Sequence, residues 1–371
     1  MKVCFICRGY PGLGKVVGSV AIDEILKKFY GKGNYQSVFL SYYVGYKFLK
    51  SINYPVIDIL NSSFSISESG FCTPFGMETN KIVDTIIQFK PDLVFNDGEP
   101  YIIEITSEVL KLPTVVLAHP ADLHSPANSK LAIDFFRHFY SKATLVIAHG
   151  LDRLPSETTW IGGKAGQVVE MNTIVRDSIY QQTLKPQKTL SRSYPYIVGV
   201  LGGGSKNVAS SFWEGTVKFG EWMIAACNDL NIRNATLYCA DENIYTKLQK
   251  VPTTRTSLSI VAQPEDNSHD IIQADIIIGR AGRNLLSELI ALGKKGIIVP
   301  VYAEKFRGGN QIRTAQRALE LNPNFNISLL DNGYESFLES LKQLIKEPIH
   351  PIQWQPGNAS ILQIIKQHFP F

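Results

Sequence analysis

Short apolar runs alternate with segments whose apolar residues recur every three or four positions, and this alternation continues from the first residues to about residue 330. The runs predict buried strands at 2–7, 37–40, 55–60, 93–95, 113–118, 144–149 and 168–175. A second series follows at 196–201, 234–240, 258–261, 275–278, 296–301 and 326–330. Helical spacing predicts helices at 16–29, 77–89, 128–139, 208–230, 268–273, 334–346 and 360–368, with two more after Gly282 and after Gln311. Continuous apolar strands alternating with helices are the pattern of parallel sheets with crossover helices, an α/β class. Residues 176–195 are polar and carry two prolines, so they are predicted as a linker between domains at 1–180 and 193–350. A chain of 371 residues is long enough for two cores.

Composition narrows the classes. Hydrophobic residues make up 44% and charged residues 19%, an ordinary globular balance. The net charge of +4, without a Lys/Arg cluster, gives no reason to expect a nucleic-acid partner. Five scattered cysteines do not form a disulfide framework. Cys4 and Cys7 form a CxxC within the first strand, where an odd separation sends them to opposite faces, so core packing is expected there rather than metal or redox chemistry. No run has the apolar length of a membrane span and the amino terminus enters a strand directly, so a cytoplasmic protein is expected. Residues 42–50 mix tyrosine, phenylalanine and lysine. They read either as a partly buried helix with snorkelling lysines or as a surface for an amphiphilic acceptor or a peripheral membrane contact.

Chemistry concentrates where strands end. The run 275–311 reads as strand, turn Gly279-Arg280-Ala281-Gly282, amphipathic helix and strand. Such a βαβ turn lies at the carboxyl edge of a parallel sheet, where small residues let an anion approach the amides of the helix start. Arg280 is a phosphate partner or a surface ion pair. Glu288, in the second helical turn, is a ligand for a ribose diol or a solvated helix glutamate. Gly202-Gly203-Gly204-Ser205-Lys206 repeats the strand–glycine–helix design without Walker spacing, which argues against ATPase chemistry. Near the amino terminus, Gly9 to Gly14 form a glycine-rich turn followed by Lys15.

Two further strand ends carry acid/base groups. Asn96-Asp97-Gly98-Glu99 places two carboxylates at the sheet edge, as candidate bases or as helix caps. His119-Pro120-Ala121-Asp122-Leu123-His124 is the densest acid/base cluster in the chain. It offers His119 as a general base, Asp122 as its partner or rival, and His124 beside them, or else a polar loop with a capping aspartate. No metal site is expected, because no other ligands stand at suitable spacing.

The segment GRAGRNLLSELIALGKKGIIVP, followed by GGNQ, resembles the donor-binding part of GT-B glycosyltransferases of family 28. That resemblance implies two Rossmann-like domains facing across a cleft, with residues 351–371 forming a helix that packs back toward the first. It implies donor contacts from Gly203, Gly204, Ser205, Gln263, Arg280, Ala281, Gly282, Glu288, Asn310 and Gln311, with Gln263 in a loop that sets base choice. Gly12, Gly14, Lys15 and His124 fall on the acceptor or phosphate side. Gly279 stands where the family usually has serine, Asn310 where it has His or Asp, and Lys15 where it usually has a histidine. The implied activity is inverting, metal-independent transfer from a nucleotide-sugar, a UDP-sugar first, to a small-molecule, glycan or lipid-linked acceptor, with no cofactor. The alternatives are a nucleotide-sugar hydrolase, a 2-epimerase, or a non-catalytic nucleotide-sugar-binding subunit.

Overall fold

The computed structural model describes residues 1–10, 12–60, 75–120, 123, 129–154, 167–185, 194–202, 210–239, 242–253, 258–262, 266–301 and 308–369. The chain forms two compact units, one of residues 1–177 and 356–371, the other of residues 178–355.

In the first unit seven strands form one sheet: β1 (Lys2–Cys7), β2 (Gln36–Ser41), β3 (Val56–Asp58), β4 (Leu93–Asp97), β5 (Thr114–Ala118), β6 (Leu145–Gly150) and β7 (Val168–Asn172). They lie in the order β3-β2-β1-β4-β5-β6-β7, and every pairing is parallel. Helices α1 (Gly14–Tyr30), α2 (Tyr43–Ser51), α3 (Phe75–Phe89), α4 (Pro100–Glu104, continued by a π turn) and α5 (Lys130–Tyr140) make the crossovers. One sheet face packs the stacked rings of Phe39, Phe5 and Phe95 under Val16, Val20 and Leu26 of α1. The other face packs Ile6 and Val94 under Ile82, Ile86 and Ile102. Cys7 belongs to the first core and Cys4 to the second, and burial pushes both thiols upward, Cys4 to about 12.

The second unit has a six-stranded parallel sheet of β8 (Tyr196–Gly202), β9 (Asn234–Cys239), β10 (Leu258–Ala262), β11 (Ile276–Arg280), β12 (Lys295–Val299) and β13 (Phe325–Ile327), in the order β10-β9-β8-β11-β12-β13. Counted within each unit, the orders run 3-2-1-4-5-6-7 and 3-2-1-4-5-6, so direction reverses at β1/β4 and at β8/β11. In open parallel sheets ligands bind at the carboxyl side of that switch.

Three regions differ from the sequence expectation. Residues 176–195 contain a helix, α6 (Asp177–Thr183), whose first residue pairs with Lys28 of α1. A further helix, α8 (Glu242–Leu248), follows α7 (Ser210–Asp229); it is short enough to hide between strand signals. β13 stops at Ile327 and a 3-10 turn takes Leu330–Asn332.

The last helices are α9 (Ser268–Gln273), α10 (Arg283–Ala291), α11 (Gly308–Leu321), α12 (Gly333–Lys346) and α13 (Asn358–His368). α13 belongs to the first unit, where Ile361, Ile364 and Ile365 enter the core beside α1. Its start is stitched to the strap after β7. Asn358 Oδ1 accepts from Val175 N at 2.9 Å, Asn358 Nδ2 donates to Val175 O at 2.8 Å, and Gly357 N donates to Thr173 O at 3.0 Å. Asn358 is buried, so Asn358→Ala strands both polar groups of Val175 and is expected to lower stability by about 2–4 kcal/mol in urea unfolding.

Near the strap, burial and then the Asp177 carboxylate push the Glu24 carboxyl up to about 7 from an ordinary 4.5, with Lys28, Asp23 and Tyr54 facing the same place. A raised acid pKa means the folded state holds its proton longer than the unfolded chain does. Stability is therefore expected to fall as pH rises from 4.5 to 7, by about 2 kcal/mol, and to level above that. In Glu24→Gln that part of the fall is expected to disappear from urea midpoints measured across the same range.

Candidate functional site

In the second unit the switch lies between β8 and β11. The Arg280 side chain, at the last position of β11, crosses to β8, where Nη1 lies 3.4 Å from Leu201 O. Its guanidinium lies over the Phe212 ring at 4.1 Å, and burial pushes it down to about 9, so it stays cationic at neutral pH. Gly202 has φ +67, and a Cβ there would lie 3.8 Å from Arg280 Nη1. The two glycine corners are thus one place, with a cation between them.

Gly282 is the exposed N-cap of α10 and Ala281 is buried beside it, so the amides of the first helical turn open at the same edge. Gly279 has a packing reason: a Cβ there would stand 2.5 Å from Leu285 Cδ2. Glu288 lies one turn further and is buried, at 3% exposure, rather than on a solvated stripe. Gln311, in α11, uses Oε1 to accept from Val301 N at 3.0 Å, which ties the helix to the end of β12.

In the first unit the switch lies between β1 and β4. Asp97 closes β4 opposite Cys7 and is fully buried. Its Oδ1 accepts from Lys15 Nζ at 2.8 Å, and its Oδ2 has no hydrogen-bond partner among the described residues. Glu99 is also buried. Its Oε1 accepts from Tyr42 Oη at 2.6 Å and from Arg8 Nε at 3.4 Å, while its backbone is held by both ends of the Asn96 amide. Burial, and then that carboxylate, push the Tyr42 phenol well above its ordinary range, so it remains a donor. Arg8 is not among the residues the sequence singles out, although it stands one residue past a strand end, where a cation is a signal; Tyr42 enters the sequence reading only as part of the mixed segment 42–50.

His119 follows β5 at this edge, half-buried, beside the buried Pro120. His149, next to last in β6, is fully buried: a Cβ at Gly18 of α1 would lie 3.8 Å from its Cε1 and 4.0 Å from Asp97 Oδ2. Gly12 and Gly14 lead into α1. Asp122, His124, Gly203, Gly204, Ser205 and Gln263 lie outside the described residues, as does the Asn310 side chain. Among the described residues no three His, Cys, Asp or Glu side chains converge as metal ligands, and no helix is long and apolar enough to cross a membrane. Residues 42–50 largely form α2, with Lys50 over the Tyr46 ring at 5.8 Å.

Solved structures share this architecture over the whole chain. UDP-GlcNAc 2-epimerase from Neisseria meningitidis superposes with a TM-score of 0.61 at 13% identity, covering 99% of this chain and 100% of that one. The glycosyltransferase SnogD from Streptomyces nogalater gives 0.58 at 14%, covering 100% of both. MurG from Acinetobacter baumannii gives 0.54 at 14%, covering 99% of this chain and 94% of that one. The fold is GT-B. Residues 223–353 match the glycosyltransferase family 28 C-terminal domain.

The chain carries a family 28 domain on a GT-B fold. β11, its Arg280 corner, α10 and Gln311 all fall inside that family 28 domain, whereas β8 and Gly202 precede it. A curated relative from Bacillus cereus, UDP-N-acetylglucosamine--N-acetylmuramyl-(pentapeptide) pyrophosphoryl-undecaprenol N-acetylglucosamine transferase 1, is 22% identical over 223 residues, 58% of this chain. The match spans 55% of that relative, about half its length. Within the matched region, a serine at 279 is expected to cost about 1 kcal/mol or less, because the half-buried Leu285 side chain must turn aside. Thermal unfolding of Gly279→Ser, with Leu285→Ala as a relieving second change, checks this.

Proposed function

We propose that the protein is an inverting, metal-independent glycosyltransferase that moves a sugar from a UDP-sugar to an acceptor hydroxyl or amine. The observation that carries this reading is the second unit's switch point, where the Arg280 guanidinium lies against the Gly202 corner beside the open start of α10. A guanidinium and a helix dipole at one edge suit a departing diphosphate, whose growing charge they stabilise without a cation. The family resemblance assigns Gly203, Gly204, Ser205 and Gln263 to the donor and Glu288 to its ribose diol. Asn310 and Gln311 stand on the sugar side. The uridine base and the lipid-linked acceptor are carried over from the donor and acceptor named for the Bacillus relative.

In the first unit His119 is the favoured general base. His119 is half-buried at the sheet edge, less enclosed than the buried Asp97 and Glu99, with Asp122 three residues on in the sequence.

The second reading is a nucleotide-sugar 2-epimerase. It is favoured by the Neisseria enzyme's overlay and by the paired acids at the end of β4. Product analysis separates the two: an epimerase alters the sugar with no acceptor present, whereas a transferase releases UDP in step with acceptor consumption.

The test of donor binding is a thermal-shift series with nucleoside diphosphates. UDP is expected to raise the melting temperature, since a ligand at 100 times its Kd adds about 2.7 kcal/mol. Glu288→Gln, which keeps the shape and removes the charge, is expected to weaken UDP about tenfold by calorimetry. Unchanged affinity removes the ribose assignment.

A further inference from the structure

The chain passes between its two units after Asp177 and again after Gln355, and each crossing is tied to the first unit close by. The ties differ in chemistry. The second crossing is held by neutral groups: the Asn358 amide bonds both polar atoms of Val175, and Gly357 N donates to Thr173 O. Ionisable groups hold the first. Asp177 opens α6; its carboxylate pairs with Lys28, and its backbone amide donates to the carboxyl of Glu24, one turn earlier in α1. A pin indifferent to pH at Val175 thus stands two residues before a titratable one at Asp177.

Among the described residues, Asp23, Glu24 and Asp177 meet Lys27 and Lys28 at this place. Asp23 is fully buried and accepts from Tyr35 Oη at 2.7 Å, Glu24 is half-buried, and the Asp177 side chain is 17% exposed. The cations are more open: Lys28 is 56% exposed, and Lys27 lies over the Tyr54 ring at 5.8 Å. Tyr54 faces the same cluster and stays a neutral phenol, because burial and then the Glu24, Asp23 and Asp177 charges push it upward. Water and salt screen exposed ammonium groups, whereas enclosed carboxylates repel one another through a poorer dielectric. Ionising Glu24 therefore adds a charge that the lysines offset weakly.

We propose that Glu24 and Lys28 form a protonation-controlled latch on Asp177, which holds the start of α6 against α1 while Glu24 carries its proton and releases it when Glu24 ionises. Burial, and then the Asp177 carboxylate, push the docked Glu24 carboxyl up to about 7, and release returns it toward an ordinary 4.5. The docked state holds the proton more tightly, so docking is complete below pH 4.5, weakens as pH rises from 4.5 to 7 and levels above that. The latch does not rest on the transferase reading.

Residue-resolved amide exchange on the full chain, with the intrinsic pH dependence divided out, tests it. Between pH 5 and 7.5 the protection of the Asp177 amide is expected to fall about 30-fold. At pH 7, low urea is expected to leave that protection unchanged while it lowers the protection of β1 and β4, because release exposes little surface and unfolding exposes much. Glu24→Gln, which keeps an acceptor for the amide and removes the charge, is expected to hold protection at Asp177 high and flat across the pH range. Asp177→Asn removes the facing carboxylate but not the burial, so a smaller fall is expected to remain. The proposal is overturned if protection at Asp177 does not change with pH, if Glu24→Gln shows the native fall, or if urea lowers protection at Asp177 as steeply as in β1 and β4, which would make whole-unit unfolding the only opening.

Discussion

Parallel strand pairing is the constraint from which the rest follows. Every ladder in both sheets is parallel, so each strand must return by a crossover, and helices must cover both faces. All strands of a sheet then end at one edge, and every loop after a strand opens there. Two faces covered by helices also require apolar residues on both sides, which is why β1 past Lys2 and all of β4 are buried, with Arg8 and Glu99 following at the edge where they end.

Both units use the switch in strand order similarly, but balance charge differently. At β8/β11 the cation is Arg280, held by a carbonyl and an aromatic face and pushed down by burial. At β1/β4 each cation has a buried carboxylate, so the charge is fixed in position but largely offset. Such a site reads geometry more than charge.

Legibility followed the range of the interactions. Strand and helix periods are local, and the expectations for β1, β9, α9 and the α10 turn lie within a residue or two of the structure. The helices missed, α6 and α8, have seven residues each, too few for a period to stand out. α6 begins at Asp177, whose partner Lys28 is 149 residues away. The site was legible as positions but not as pairs. Lys15 and Asp97 were both singled out, yet their bond spans 82 residues, and the Arg8–Glu99 contact spans 91. Gly279 read as a departure from a serine pattern; only the packing of Leu285 explains it. His149 is fully buried near Gly18 of α1, a neighbour 131 residues away that its place near a strand end does not reveal.

The stitch at Asn358 has a consequence for biosynthesis. The unit that emerges first from the ribosome receives Ile361, Ile364 and Ile365 only after the whole second unit has been translated. Until then the apolar groove beside α1 stays uncovered, while residues 178–355 have every strand of their own sheet and can fold ahead of it. The order of completion is thus the reverse of the order of synthesis, and the interval between them is when nascent chains are most open to capture by chaperones.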